Sequence, residues 1–222
     1  MNWSAFSLSI QLALGTLAVL LPMALYLGRG LARARFKGKT VLEAAILLPL
    51  VLPPTVMGYY LLVAFGGGSP VGQWLSDHLG VSLTFNFSGL LLASVIFNIP
   101  FMFQPIQRAF ESIPAELIEA AQVSGLSAWQ TFKAIELPLA WPGVLSAMVL
   151  TFVHTLGEFG VVLMIGGNIP GQTQTLAIAI YDSVQTFDMK SANLMALVLL
   201  CFSMLAVAAS LALSVRYRSR SR

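Results

Sequence analysis

The sequence predicts an all-α integral membrane protein with five transmembrane helices and a water-facing helical segment between the third and fourth. Composition comes first: 9% of residues are charged and 57% hydrophobic, against roughly a quarter charged in an ordinary soluble domain. Apolar runs long enough to cross about 30 Å of hydrocarbon recur along the chain. The basic residues are sorted by loop, as the positive-inside rule requires of a multi-pass protein. The net charge of +3 is therefore a matter of topology, and no aromatic-basic face points to a nucleic-acid partner.

The first span is expected at about residues 8–27, an uncharged run. Arg29, Arg33, Arg35, Lys37 and Lys39 follow at once, which puts this loop in the cytoplasm and the N-terminus outside. Span two, about 41–65, contains Pro49, Pro53 and Pro54. These prolines remove backbone donors, so the helix should break in mid-membrane with the break facing protein or a water-filled cavity. The loop to about Ser88 has Asp77 and His78 but no lysine or arginine, and reads as external. Span three, about 89–110, carries Asn98 beside Pro100 and Gln104 beside Pro105, then reaches Arg108 at the inner face. Span four, about 142–165, holds the only acidic residue deep in any span, Glu158, with His154 four residues earlier. On one unbroken helix these two share a face, and a structural bond between them, or one across a dimer seam, is expected. Two ligands are too few for a metal site on one chain.

Residues 166–192 read as a further external loop, with an apolar patch from Thr175 to Tyr181 lying at the interface or re-entering. Span five, about 193–215, ends in Arg216, Arg218, Arg220 and Arg222, so the C-terminus is cytoplasmic. No linker or composition shift divides the chain, and 1–222 is expected to be one transmembrane domain. Cys201, the single cysteine, falls in an apolar run and should pack as a small hydrophobe. No basic region precedes the first apolar run, so that run is expected to be a retained span rather than a cleaved signal.

The segment from Pro114 to Pro138 is the longest polar stretch that still looks folded. Pro114 suits a first helical position, Gly125 a left-handed stop, Ser127 with Gln130 a capping box and Pro138 a second stop. Within it stand Glu119, Ala120 and Ala121, then Gly125, Ile135, Leu137 and Pro138. This spacing resembles the EAA loop of ABC importer permeases. Two alanines in succession allow close approach by a partner, and Gly125 turns the chain sharply. The bland alternative is an amphipathic linker on the headgroups.

Two other stretches narrow the resemblance, PLVLPPTVMGYY from Pro49 to Tyr60 and GEFGVVLMIGGNIPGQTQTLAIAIY from Gly157 to Tyr181. They are similar to the molybdate branch of ABC importer permeases. The resemblance implies a subunit of the bacterial inner membrane that forms a homodimer over two cytoplasmic ATP-binding subunits. These dock on Glu119, Ala120, Ala121, Gly125, Ile135, Leu137 and Pro138. ATP and Mg would be used on those partners, with no cofactor on this chain, and an external molybdate-binding protein would deliver the anion. Thr55, Ser94, Asn98 and Thr151 are candidate neutral donors along a path at the dimer axis. Tungstate and sulfate permeases are near relatives. A gradient-driven carrier working through His154 and Glu158 is the rival outside this class, and a membrane enzyme finds no hydrolase elbow or phosphate loop in the sequence.

Overall fold

A computed structural model describes the backbone of residues 1–220 and the side chains of residues 1–213. The arginines expected at the inner end of span five, Arg216, Arg218, Arg220 and Arg222, lie outside the described side chains. The described residues are all-helical. Helix α1 (Trp3–Arg33) is capped by Asn2, whose side chain accepts from the Ala5 amide. It packs against α5 (Phe87–Glu111), and α5 in turn packs against α8 (Leu137–Leu156). Helix α11 (Met189–Arg220) flanks α8, and only a small share of its described apolar stretch is buried within the chain. Such a surface suits lipid or a second copy.

The second span is broken where the prolines stand. Helix α2 (Lys39–Val51) meets α3 (Pro54–Phe65) at a bend of 106°. Pro53 and Pro54 offer no amide to continue the α2 ladder, and Pro54 is well placed at the start of the next helix. The loop expected to be external contains a helix the sequence reading did not resolve. Helix α4 (Pro70–Leu79) is capped by Ser69 Oγ, which accepts from the Gly72 amide, and stopped by left-handed Gly80.

Span four departs most from expectation. Pro138 was expected to stop a helix, yet helix runs on from α7 (Ala128–Thr131) through a π-turn at Phe132–Glu136 into α8. The π-turn explains this, since the Leu137 amide bonds back five residues to the Phe132 carbonyl. A locally widened turn accommodates the missing proline donor and the ring that would strike the preceding turn. At its other end α8 stops at Leu156, nine residues short of the expected 165. Gly157, Glu158 and Phe159 form a break before the short α9 (Gly160–Gly166). The expected external loop after it folds inward as α10 (Leu176–Gln185), capped by Thr175 and packed on α1 and α11. Its Leu176 amide donates to Ser9 Oγ at 2.8 Å, and Leu176 and Ile178 are fully buried.

Candidate functional site

The basic cluster and the polar segment lie at the same end of the bundle. Helix α6 (Ala115–Val123) begins after Pro114, which takes the N-cap rather than the first helical position. Gly125 turns with φ 80°. The capping box at Ser127 and Gln130 closes with both bonds present, the Gln130 side chain accepting from the Ser127 amide at 2.8 Å. Glu119, Ala120 and Gly125 are exposed, Ala121 is buried, and Ile135, Leu137 and Pro138 are half-buried. Leu117, Val123 and Trp129 also stand out from this segment, Val123 89% exposed. Apolar side chains thus stand outward on a polar stretch of the chain.

Glu136 is the residue the sequence reading missed. It is fully buried, and its carboxylate holds two arginines of α1. Arg29 donates to both oxygens, with Nη2 at 3.0 Å from Oε1, while Arg33 Nη2 lies 2.7 Å from Oε2. Arg29 also donates to the Ala128 carbonyl at 3.5 Å and stands 5.2 Å from the Phe132 ring. The fork geometry of arginine makes such a clamp directional as well as strong. Arg33 lies four positions after Arg29, so both point to one face of α1, and Glu136 is the only acid between Glu119 and Glu158. Those two facts are the available signal in the sequence, beside the arginines' value as topology markers.

A second polar site lies where α8 breaks. Ser94 Oγ donates to Glu158 Oε2 at 2.9 Å and Asn98 Nδ2 donates to the same oxygen at 3.1 Å. Thr16 Oγ1 donates to Ser94 Oγ at 3.0 Å, bringing α1 into the network. His154 does not bond Glu158. Its Nδ1 lies 2.9 Å from Asn98 Oδ1, so Asn98 stands between the two expected partners. The Gly157 break is the reason, because it takes Glu158 off the helical face that a spacing of four would share with His154. The His154 ring stacks on Phe101 with centroids 3.8 Å apart.

Of the four donors expected along a path, Ser94, Asn98 and Thr151 are completely buried inside this chain. Thr55 alone faces open space, a cavity of about 490 Å³ lined also by Phe97, His154, Glu158 and Gly160. The cavity exists because two helix breaks meet. A Cβ at Gly160 would come within 3.1 Å of Pro54 Cβ and 3.3 Å of the Thr55 amide. Thr151 Oγ1 and Glu158 Oε1 are buried without a hydrogen-bond partner.

A bundle of long helices with two breaks is a fold shared with solved ABC transporter structures. The chain superposes on a bacterial ABC transporter involved in the import of the acidic polysaccharide alginate with TM-score 0.78 at 18% identity, covering 96% of this chain and 78% of that one. The family model of the binding-protein-dependent transport system inner membrane component matches residues 21–220, and the chain belongs to that family. Among curated relatives, it is 45% identical to the molybdenum transport system permease protein ModB of Azotobacter vinelandii, over 91% of this chain and 89% of that protein. Identity to ModB of Haemophilus influenzae is 42%, over 84% of this chain and 81% of that protein. The sulfate transport system permease protein CysT of Escherichia coli is 35% identical over 79% of this chain and 63% of its own length.

Proposed function

We propose that this chain is the membrane-spanning subunit of an ATP-driven importer that carries molybdate into the cytoplasm. Its kinship to molybdenum permeases over about nine-tenths of the chain is the observation that carries the reading. In the working assembly two copies form a homodimer. Two cytoplasmic subunits bind ATP and Mg and dock on Glu119, Ala120, Ala121, Gly125, Ile135, Leu137 and Pro138, and an external binding protein delivers the anion. The N-terminus is then outside and the C-terminus cytoplasmic. Residues 1–222 act as one domain, and this chain supplies no cofactor and hydrolyses nothing itself.

The geometry supports a mechanical route from docking segment to substrate path. When the ATP-binding subunits close, the segment moves with them. The Glu136 clamp prevents it from sliding past α1, so Arg29 and Arg33 are drawn along. The same segment runs as helix through the π-turn into α8, which ends at the Gly157 break beside His154. A displacement of the segment from Ala128 onward therefore reaches the cavity at the other end without an intervening loop. Substrate contact in this path is weak by design, since the cavity has no lysine or arginine among its lining residues.

The test is uptake of labelled molybdate into vesicles holding this chain with its ATP-binding and solute-binding partners. Molybdate uptake that requires internal ATP and that sulfate does not compete away is the expected result. Uptake that ignores ATP and follows a proton gradient would overturn it. Kinship to a sulfate permease favours a second reading, a sulfate or tungstate importer built the same way, and effective competition by either anion in the same assay would select it.

A further inference from the structure

Between α1 and α2 the bundle is left open. Both helices pack on α5, yet a groove of about 630 Å³ runs between them, lined by Ile99 and Phe103 of α5, Leu20 and Leu27 of α1, and Leu42 and Ile46 of α2. Gly30, also on the α1 wall, supplies no side chain to fill it, and a Cβ there would meet nothing within 4 Å. Along α1 the lining runs from Leu20 to Ala34. At about 1.5 Å per residue this is about 21 Å, half the 40–45 Å thickness of a bilayer with its headgroups.

Positive charge accumulates at the end where α1 stops. Arg29 and Ala34 line the groove there. Arg35 and Lys37 follow directly and are exposed, and among the described residues no acidic group pairs with either. Glu136 alone balances Arg29 and Arg33, while Lys39 is already shared by Glu43 and Glu111, each at 3.7 Å. Arg29, Arg33, Arg35 and Lys37 are thus set against a single carboxylate. The surplus stands at the polar end of a membrane helix, beside a groove whose walls are apolar along its depth.

We infer that this groove holds an acyl chain of an anionic phospholipid, whose phosphate lies among Arg29, Arg35 and Lys37. The two halves of the site call for one amphiphile, hydrocarbon for the groove and negative charge for its mouth. Basic pockets between membrane helices recognise anionic headgroups in this way. Long arginine and lysine side chains lay their stems on apolar surface while their ends reach the phosphate. A helix of a second copy, about 10–12 Å across, would need more than twice the groove's volume over the same length, so it could cover the groove but not enter it. The site goes beyond the proposed transport and is independent of which anion is carried. Its consequence falls on the clamp: Arg29 lines the groove and also holds Glu136, so the phosphate offsets surplus charge beside the joint that ties the docking segment to α1.

The experiment is native mass spectrometry of the full chain in mild detergent, titrated with three probes. Dioleoyl-phosphatidylglycerol is the ligand expected to bind; dioleoyl-phosphatidylcholine has the same chains without net charge, and inorganic phosphate has charge without chains. The unaltered protein should bind phosphatidylglycerol in preference to phosphatidylcholine, and millimolar phosphate should not displace it. Replacing Arg35→Gln and Lys37→Gln together removes the unpaired cations and spares the Glu136 clamp. It should weaken phosphatidylglycerol binding about 30-fold, the product of two surface cations. Gly30→Phe puts a ring into the open groove at a position where helix formation gains rather than loses, and should abolish the preference. An unchanged Tm in detergent checks that Gly30→Phe is folded; if it is not, the double glutamine variant decides alone. Equal affinity for the two lipids overturns the proposal, as does displacement by inorganic phosphate. So does full-strength binding by the double glutamine variant or by a folded Gly30→Phe. Binding to the monomer but not to a dimer would also overturn it, since a second copy would then cover the groove.

Discussion

Replacing Glu136 by alanine should loosen the docking segment from span one without unfolding the bundle. Glu136 is fully buried, but the side chains of Arg29 and Arg33 retain 28% and 35% of their exposure. Removing one partner of a fully buried pair costs about 3–5 kcal/mol, chiefly because a charge is left stranded. Here the stranded charges are the arginines, which can reach water or headgroups from their present positions. The penalty is accordingly nearer about 2–3 kcal/mol once solvent screening is allowed for. That corresponds to a rise of roughly 30- to 150-fold in the population with the segment detached, since each 1.36 kcal/mol is a factor of ten. The π-turn would lose its anchor at the same time, because Arg29 also bonds Ala128 and covers Phe132. Hydrogen–deuterium exchange of residues 115–136 in the reconstituted protein reads this directly. Exchange should accelerate there and hardly at all in α5, and uptake per ATP hydrolysed should fall. Exchange within twofold of the unaltered protein would refute the clamp as the link between segment and bundle.

Further expectations follow from single contacts. Gly125→Asp should abolish co-purification of the ATP-binding subunit while insertion stays normal. A Cβ there meets nothing within 4 Å, and the left-handed backbone costs about 1–2 kcal/mol, so loss of binding would report the partner; unimpaired association would count against docking at this turn. Gly58→Ala places a Cβ 2.6 Å from Met164 Cβ and 3.0 Å from the Val161 carbonyl, and should lower stability by about 1–3 kcal/mol, visible as a reduced Tm in detergent; an unchanged Tm would mean that α3 and α9 pack less tightly than described. Asn98→Leu removes the bridge between His154 and Glu158 and leaves both without a partner they now share, at a cost of about 1–3 kcal/mol. Its thermal transition should drop accordingly, and a stability equal to that of the unaltered protein would argue that the network is dispensable for folding.

The membrane class, the loop asymmetry and the break at Pro53 and Pro54 follow from local chemistry that no fold can override. Charge cannot be hidden in hydrocarbon, and a proline has no amide to donate. The capping box and the left-handed turn at Gly125 belong to the same kind, each written in three or four neighbouring residues. What the sequence alone did not settle depends on partners far along the chain. Pro138 looked like a stop because proline ends most helices, and only a helix held at both ends makes the alternative, a π-turn, worthwhile. Glu136 is, in sequence, one more polar residue of the segment, and only folding brings Arg29, 107 positions away, against it. His154 and Glu158 looked like a pair because their spacing assumes an unbroken helix. The break at Gly157 and the arrival of Asn98 from α5 turned them into two ends of a bridge. Spacing fixes neighbours only within one regular element, whereas burial, ion pairing and cavity walls arise between elements, and there the tertiary structure decided.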